Sequence, residues 1–478
     1  MSEEVPPLER IRRIHLIAVA GVGMASLAGM LRSRGYEVTG SDQNVYPPAS
    51  TLLERLAIPV RTGFRPENLE PPPDLVIVGN AVSRTNAEVE AVLARGLPYT
   101  SMAEALRRFF LAGKRSLVVA GTHGKTTSTA LLARVLEAAG RDPGLMVGGE
   151  ALDFGGNFRL GNGADFVIEG DEYDTAFFDK EPKFLHYEPK ALILTAIEFD
   201  HADIYRDVDQ VTAAFVKLCR LLPRDAPLIA CADFPRVAIA LGEAAATAES
   251  FGFAANADWR AVDIRDENQR TRFTAVVRGR SEIEIATRLM GEMNVRNSLG
   301  VYALCRRLGL SPEEIREGIG SFRGVRRRQE VLAEEPVTVL DDFAHHPTAI
   351  AGTIEAVRRR YPGRRLWAVF EPRSNTSRRR IFQQEFPAAL AGADRVILAQ
   401  VFYKETDALA PDERLSVDGV VAELRRRELD AETLPTTNEI LERLRRETRA
   451  GDVVVFMSNG AFGGIPSRFA AIVDGRID

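Results

Sequence analysis

The chain alternates short apolar runs with stretches whose apolar residues recur at helical spacing. Apolar runs bounded by glycine or polar residues predict buried strands, and the stretches between them predict helices. Strands joined by crossover helices form parallel sheets, so the pattern predicts an α/β fold. The predicted strands are residues 14–19, 36–40, 74–79, 117–119, 164–168, 191–197, 337–343, 366–370, 395–401 and 452–457. Residues 226–285 are less regular, with short alternating runs such as 273–277 and 282–286.

The strand–helix pattern restarts at two points along the chain. One restart lies near Gly113 and the other near Gly324. At 478 residues the chain is also longer than a single core usually supports. We therefore predict three domains, over residues 1–113, 114–324 and 325–478.

The strongest chemical signal is the turn between the strand at 117–119 and the helix that follows it. Gly121 and Gly124 bracket the turn, Lys125 begins the helix and Gly140 ends it. Backbone N–H groups at such a turn bind phosphate, the lysine adds a positive charge, and the hydroxyl of Thr126 is suited to magnesium. The first glycine lies closer to Lys125 than in the common loop. The strand–turn–helix context still predicts a nucleotide-triphosphate site.

Acidic clusters follow the next two predicted strands. Glu169 leads the cluster at 169–174, and His201 lies among the acids of 198–203. Magnesium bound to a nucleotide uses one or two carboxylates beside the phosphate loop, and Glu169 is the predicted one. Taken alone, His201 fits a hydrogen-bonded turn better than a metal ligand.

The first predicted strand leads into Gly21 and Gly23, and the second ends in Ser41 and Asp42. Two glycines let the backbone approach a diphosphate, and an acid at this distance suits a ribose. The third position of the fingerprint is not glycine, which leaves three interpretations open. They are a nicotinamide or flavin site, a UDP-sugar site, and a plain packing turn. A polar loop containing Ser83 follows the third strand, where open α/β sheets bind ligands.

Polar loops also follow the strands of the third predicted domain, at the same kind of sheet edge. They are residues 341–347, 371–376, 404–405 and 458–464. Before them, Asn294 and Asn297 lie three residues apart at a helix start. Paired carboxamides recognise adenine, but asparagine is also a routine helix cap, and the spacing favours neither interpretation.

Composition narrows the class of protein. The net charge of −5 provides no basic surface for nucleic acid. Cys219, Cys231 and Cys305 show no paired spacing, which predicts buried thiols in a reducing compartment. The N-terminus lacks an apolar signal core and glycines interrupt the apolar run at 16–31, so we predict a cytoplasmic protein without membrane insertion. The sequence does not indicate an oligomeric state.

A set of motifs, taken together, resembles the Mur ligase family. They are GTHGKTT at 121–127, EGDEYD at 169–174, EFDHADIY at 198–205, GEMNVRNSL at 291–299, GVRRRQE at 324–330 and DDFAHHP at 341–347. The motifs extend over nearly the whole chain in the order and spacing of the family. The resemblance implies a UDP-sugar-binding Rossmann-like domain, a central P-loop ATPase domain and a C-terminal Rossmann-like ligase domain that binds the amine substrate.

Two kinds of family member share the N-terminal glycine loop of this chain and its DD-aromatic-x-HHP motif at 341–347. One joins L-alanine to UDP-N-acetylmuramate in peptidoglycan biosynthesis. The other joins a recovered murein tripeptide, L-alanyl-γ-D-glutamyl-meso-diaminopimelate, to the same acceptor. This chain resembles the tripeptide ligase more, because residues 370–378 read FEPRSNTSR where alanine-adding members usually have FQPHRYTRT. The residues implied to bind the peptide are Arg373, Ser374, Asn375 and Ser377.

The resemblance also implies roles for single residues. Lys125, Glu169, His201 and Arg328 are the implied catalytic residues, and Thr126, Glu169 and His201 the metal ligands. The implied ATP-binding residues are Gly121, Thr122, His123, Gly124, Lys125, Thr126, Thr127, Asn294, Asn297, Arg328, Asp342 and His345. The implied UDP-sugar ligands are Gly21, Gly23, Ser41, Asp42 and Ser83. Some members carry a carbamylated lysine where this chain has Phe215, which leaves the geometry of a second metal open.

The implied reaction is amide formation driven by ATP and Mg²⁺ through an acyl phosphate. Phosphorylation of the lactyl carboxylate creates a leaving group that the tripeptide amine displaces. The nearest alternative is the L-alanine ligase. Two alternatives belong to other classes. A nicotinamide-dependent oxidoreductase has no use for the phosphate loop, and an ATP-dependent switch protein would form no amide.

Overall fold

The computed structural model describes residues 5–47, 49–401 and 409–476. Residues 404–405, predicted to form a substrate loop, lie outside the described residues. Its strands are β1 (Arg13–Ile17), β2 (Glu37–Asp42), β3 (Val60–Thr62), β4 (Leu75–Val78), β5 (Tyr99–Ser101), β6 (Arg115–Ala120), β7 (Gly144–Ala151), β8 (Gly156–Arg159), β9 (Asp165–Gly170), β10 (Asp174–Ala176), β11 (Asp179–Pro182), β12 (Ala191–Leu194), β13 (Leu228–Cys231), β14 (Ala248–Gly252), β15 (Trp259–Glu267), β16 (Arg270–Val277), β17 (Arg280–Thr287), β18 (Glu330–Ala333), β19 (Thr338–Asp342), β20 (Leu366–Phe370), β21 (Arg395–Ala399), β22 (Asp430–Leu434) and β23 (Val453–Met457). Its helices are α1 (Val22–Ser33), α2 (Ala49–Arg55), α3 (Ala87–Arg95), α4 (Met102–Leu106), α5 (Lys125–Ala138), α6 (Val208–Arg220), α7 (Pro235–Leu241), α8 (Gly291–Arg307), α9 (Pro312–Ser321), α10 (Pro347–Arg360), α11 (Glu385–Leu390), α12 (Val417–Arg426), α13 (Thr437–Glu447) and α14 (Ile465–Val473). The predicted α/β class is confirmed.

The chain divides into two compact units. The first contains Met1–Ile197, Asp209–Phe251 and Gly300–Gly318. The second contains Glu198–Val208, Gly252–Leu299 and Ile319–Asp478. The predicted boundaries at residues 113 and 324 do not coincide with this division and stay predictions.

The first unit contains a five-stranded sheet in the order β3-β2-β1-β4-β5, with every pairing parallel. Its strands bury their apolar side chains, as expected for a parallel sheet with helices on its faces. Helix α1 packs through Gly29, where an added Cβ would lie 2.7 Å from the ring of Phe158 on β8. The amide of Asn157 on the same strand donates to the hydroxyl of Ser26 on α1 at 2.6 Å. Helix α1 therefore packs closely against β8 as well as against the five-stranded sheet.

A second sheet in the first unit runs β14-β13-β12-β6-β9-β7-β8. Strands β14 to β7 pair in parallel, and β8 pairs antiparallel with β7. Strand β6 lies at its centre between β12 and β9. Because parallel strands end at the same edge, the loops after β6, β9 and β12 meet there. This topology brings the phosphate loop to the acidic cluster that begins at Glu169.

The second unit contains a six-stranded sheet in the order β18-β19-β23-β20-β21-β22. Its strands pair in parallel except β18, which is antiparallel to β19, so the parallel sheet predicted from the repeat is confirmed. Apolar clusters cover both faces of this sheet. Strand β22 was not predicted, because it is an edge strand in which only Ala431 is buried. The second unit also contains the antiparallel strands β15, β16 and β17.

Two predictions from composition concern thiols and membranes. Cys219, Cys231 and Cys305 are free and buried, as predicted. Among the described residues, no helix has the length and apolar character needed to cross a membrane.

Candidate active site

The phosphate loop follows β6 and is tied to the end of β12. Gly121 has φ +130°, and a Cβ there would lie 2.2 Å from Thr195 Oγ1 and 2.7 Å from the backbone N of Ala196. The N–H of Thr122 donates to the carbonyl of Ala196 at 2.8 Å. Gly124 has φ +82° at the start of α5. Both glycines are therefore required by backbone conformation, and Gly121 also by close approach.

Lys125 forms an ion pair that the sequence analysis did not assign. Its Nζ donates to Glu172 Oε1 at 2.9 Å, and the Glu172 side chain is fully buried. Burial alone would lower the pKa of Lys125, but the charges of Glu172 and Glu169 outweigh it and raise that pKa. The lysine is thus held in its charged form at the first turn of α5, where a phosphate would meet it.

Thr126 and Glu169 form a pair of oxygen ligands suited to magnesium. Thr126 Oγ1 donates to Glu169 Oε1 at 2.9 Å, and the N–H of Gly148 donates to Glu169 Oε2 at 2.7 Å. Adjacent ligands of octahedral magnesium lie roughly 3 Å apart, given metal–oxygen distances of about 2.1 Å. The two oxygens therefore fit a magnesium site, with Gly148 orienting the carboxylate.

The glycine turn of the five-stranded sheet is closed by Asp42, whose Oδ2 accepts from the N–H of Ala20 at 2.9 Å. Gly21 caps α1 with an extended backbone, and the Cβ position of Gly23 is 3.1 Å from Met102 Sδ. Ser83 is exposed and its hydroxyl lies 3.0 Å from that of Thr85. The diphosphate-type turn is present, and its role in binding UDP stays a prediction.

Ser41, predicted as a UDP ligand, lies inside the fold, and its role in binding UDP stays a prediction. Its side chain is fully buried, and its hydroxyl donates to Glu88 Oε2 at 2.5 Å. Glu88, also fully buried, accepts from the N–H of Arg65 at 3.1 Å and lies 3.5 Å from His15 Nε2. The Ser41 hydroxyl therefore joins β1, β2 and α3. Glu88 lies in the first turn of α3, where the helix dipole favours a carboxylate.

In the second unit, the two predicted adenine-reading asparagines form one hydrogen-bonded row with Gln329. The Asn297 amide donates to Asn294 Oδ1 at 3.1 Å, and the Asn294 amide donates to Gln329 Oε1 at 3.0 Å. The Asn294 amide also donates to the carbonyl of Met290 at 2.9 Å. All three carboxamides are buried. The arrangement is more than a helix cap, because it joins α8 to the loop before β18.

The adjoining loop contains Arg328, which lies with its guanidinium 4.4 Å from the ring centre of Phe343. Asp342 is buried and accepts from the N–H groups of Gln329 and Ala344, each at 2.7 Å. Burial raises the pKa of Asp342, and the charge of Arg328 opposes that rise. The Asp342 carboxylate therefore organises the loop from within, and the nucleotide contact implied by the resemblance stays a prediction.

His201 and His345 meet at Asp200 in the second unit. His201 has φ +58°, and its N–H donates to Asp200 Oδ1 at 2.7 Å. His345 Nε2 lies 3.7 Å from Asp200 Oδ2. Burial alone would raise the pKa of Asp200, but the neighbouring His345 and the charges of both histidines hold it well below its usual range. The turn interpretation of His201 is met here, and its role as a metal ligand stays a prediction.

Two residues of the predicted peptide-binding segment bond to each other, and their role in binding the peptide stays a prediction. Ser374 and Ser377 are buried, with their hydroxyls 2.9 Å apart, and each backbone N–H donates to the other hydroxyl at 2.9 Å. They close a tight turn. Asn375 is exposed, and its amide donates to Asp203 Oδ2 at 2.9 Å. Two of the segment's small polar residues therefore fold the loop.

Arg373 is the exposed cation of that segment. It lies across the loop after β23, where a Cβ on Gly460 would come within 2.3 Å of Arg373 Cδ. Its guanidinium lies 3.4 Å from Glu371 Oε1, and Glu371 Oε2 accepts from the hydroxyl of Ser458 at 2.5 Å. Arg373 is therefore oriented at the edge of the sheet while more than half of its side chain stays exposed, at 56%.

Glu172 and Gln329 are the functional candidates that the sequence analysis missed. Both lie inside motifs that it recognised, EGDEYD and GVRRRQE. The sequence signal for either residue was its position, an acid or an amide close to residues already predicted to bind a ligand. Nothing in the spacing distinguishes Glu172 from Asp171 or Asp174, because each follows the same strand. Only the tertiary contact with Lys125 separates them.

Comparison with known proteins matches three family models in chain order. "Mur ligase family, catalytic domain" matches residues 13–114, "Mur ligase middle domain" 119–305 and "Mur ligase, glutamate ligase domain" 327–460. An Escherichia coli (strain K12) protein named UDP-N-acetylmuramate--L-alanyl-gamma-D-glutamyl-meso-2,6-diaminoheptandioate ligase is 40% identical over 95% of this chain and 96% of its own. A UDP-N-acetylmuramate--L-alanine ligase from Salinibacter ruber (strain DSM 13855 / M31) is 35% identical over 95% of this chain and 94% of its own. The crystal structure of a murein peptide ligase from Psychrobacter arcticus 273-4 has a TM-score of 0.72 and 32% identity, covering 98% of this chain and 99% of its own.

Proposed function

This chain belongs to the Mur ligase family, and we propose that it is the ATP-dependent ligase that joins L-alanyl-γ-D-glutamyl-meso-diaminopimelate to UDP-N-acetylmuramate in murein recycling. The observation that carries the proposal is the similarity, over nearly the entire chain, to relatives named for this reaction. The L-alanine ligase is the second candidate, because relatives named for that reaction also align over nearly the whole chain at lower identity. The segment around Arg373 favours the peptide.

The phosphate loop and its neighbours would bind ATP and activate the acceptor carboxylate. Lys125 would place its ammonium against the outer phosphates, and Thr126 with Glu169 would hold Mg²⁺. When bound, the ion would neutralise charge on the transferring phosphoryl group. Arg328 would also contact the transferring phosphoryl group. The support is the charged state of Lys125 and the 2.9 Å spacing of the two magnesium oxygens.

The remaining substrate sites follow from the same proposal. Gly21, Gly23 and Asp42 would bind the UDP moiety at the glycine turn, and residues 1–113, 114–324 and 325–478 would serve as acceptor, ATP and amine domains. Asn294 and Asn297 would contact adenine. We further propose a cytoplasmic location, supported by three buried, unbridged cysteines.

The activated carboxylate would then be attacked by the free amine of the peptide. An amine cannot expel an oxide from a carboxylate, so phosphorylation supplies the leaving group that makes amide formation feasible. The tripeptide carries distal carboxylates that L-alanine lacks. An exposed, oriented guanidinium such as that of Arg373 suits such a carboxylate, because its fork of N–H donors matches two carboxylate oxygens.

The test is phosphate release by purified protein with ATP, Mg²⁺ and UDP-N-acetylmuramate, supplemented with either the tripeptide or L-alanine. We expect release with the tripeptide and only background release with L-alanine. The amide product is identified by mass spectrometry, which separates ligation from ATP hydrolysis. Release with L-alanine alone would establish the second candidate. Nucleotide binding with no product in either case would favour a switch protein.

Substituting Gly460 by alanine is expected to raise the KM for the tripeptide roughly tenfold, the loss of one oriented charged hydrogen bond. The new Cβ would displace the Arg373 side chain, which lies 2.3 Å away, but that side chain is flexible and the fold should be unaffected. The measurement is steady-state kinetics together with thermal unfolding. R373A should show a similar KM, and G460A/R373A should be no worse than R373A. An unchanged KM in R373A would remove Arg373 from the peptide site.

A further inference from the structure

Arg328 lies between two residues with left-handed backbone. Arg327 has φ +58° and Gln329 has φ +52°. Side chains other than glycine rarely adopt this region, at a cost of roughly 1–2 kcal/mol per residue. Such a conformation persists where the surrounding contacts hold it, and it is concentrated at functional sites. The contacts on either side of Arg328 therefore identify what fixes the loop.

The Arg327 side chain is fastened to the ends of two strands. Its Nε donates to Asp341 Oδ2 at 3.2 Å, at the end of β19. Its terminal nitrogen donates to the carbonyls of Ser458, at 2.7 Å, and Gly460, after β23. The backbone N–H of Arg327 also donates to Glu330 Oε2 at 2.9 Å. Its guanidinium is thus directed into the sheet edge and engaged by protein acceptors.

Gln329 anchors the loop on the other side of Arg328, through both its backbone and its side chain. Its N–H donates to Asp342 Oδ2 at 2.7 Å, and its Oε1 accepts from the Asn294 amide at 3.0 Å. The Gln329 side chain is buried. Two anchors on opposite sides therefore set the backbone of the residue between them. The guanidinium of that residue, Arg328, rests over the Phe343 ring.

We propose that Arg327 and Gln329 are positioning residues that hold Arg328 ready for the transferring phosphoryl group. The inference rests on the proposed function, in which Arg328 contacts that group. Nε and Nη2 of Arg327 donate to Asp341 and to two backbone carbonyls, so these donors hold the loop. Gln329 additionally connects Arg328 to the asparagine row, so the phosphate and adenine ends of the nucleotide site share one loop.

The test is a double-mutant cycle between Arg327 and Arg328. R327A is expected to lower kcat roughly 10- to 100-fold, the scale of a small misplacement of a catalytic group, and to leave the KM for UDP-N-acetylmuramate within about twofold of wild type. Residues that act as one unit are not additive, so R327A/R328A should match R328A within about twofold. R327K, which keeps the charge near Asp341, should recover part of kcat. Q329A should behave like R327A.

Arg326 provides the matched control in the same triplet. Its side chain is half exposed and pairs with Glu330, so R326A should leave kcat near the wild-type value. Additive losses in the cycle, or equal losses in R326A and R327A, would overturn the positioning role. The same cycle is measured on the dissociation constant for ATP, without acceptor or amine. A wild-type protein that forms no amide would therefore contradict the proposed function, while the ATP cycle would still decide the role of Arg327.

Discussion

Replacing Lys125 by alanine is expected to reduce turnover by roughly 10³-fold or more, the scale of losing a preorganised charge on the reacting group. Affinity for UDP-N-acetylmuramate should stay within about twofold of wild type, because the predicted UDP residues belong to a separate sheet. The measurements are phosphate release and calorimetric binding of the UDP-sugar without ATP. Equal loss of both would contradict the assignment of the acceptor and ATP to different domains.

The ion pair with Glu172 makes a second effect of this substitution unavoidable. Glu172 is fully buried, and K125A removes the cation that offsets its charge. Breaking a buried pair by removing one partner costs about 3–5 kcal/mol of folding free energy. Lost activity could then reflect lost fold. The variant K125M/E172Q removes both charges, so it should regain most of the stability and none of the activity. Activity in the double variant would show that the lysine charge is dispensable.

Replacing Gly121 by alanine is expected to destabilise the first unit by roughly 3 kcal/mol or more, adding backbone strain to overpacking. A side chain at φ +130° is strained in any surroundings, and here its Cβ would also lie 2.2 Å from Thr195 Oγ1 and 2.7 Å from the N of Ala196. The backbone atom cannot rotate away. The loop would have to leave β12, and ATP affinity should fall with stability. Thermal unfolding and ATP titration measure both effects.

Alanine substitutions at two other glycines separate the contribution of backbone strain from that of the close contact. Gly140 also has a positive φ, of +74°, but an added Cβ would meet open space, so G140A isolates backbone strain at about 1 kcal/mol. Gly156 has open space without a positive φ, so G156A should be nearly neutral. ATP affinity should be unchanged in both. A G121A protein as stable as G140A would show that the contact with β12 is not what requires glycine at 121.

The α/β class, the more apolar strands of the parallel sheets and the phosphate loop could be predicted from the sequence because their causes are local. An apolar run such as 117–119 must be buried, and the glycines after it permit only a few turns. The edge strand β22 escaped prediction because a strand with one buried residue carries almost no apolar signal. The exact domain boundaries were not determined by the sequence, since they depend on which segments pack together.

The candidate site divides in the same way. The sequence alone determined which residue types are present at each strand end: Lys125 at a glycine turn, Glu169 after β9, and the arginines of GVRRRQE. It could not show that the Ser41 hydroxyl bonds to Glu88 and that of Ser377 to Ser374. Along the sequence, both hydroxyls give the same signal, a serine at or after the end of a predicted strand.

Only the tertiary structure decided the partners. The pairing of Lys125 with Glu172 and that of Arg327 with Asp341 join residues distant in sequence, and no local pattern specifies them. A side chain's role depends on which donors, acceptors and charges surround it after packing, because burial makes each polar group depend on its neighbours. Local chemistry therefore fixed the identity of the candidate site's components, and packing fixed which polar and charged groups each of them contacts.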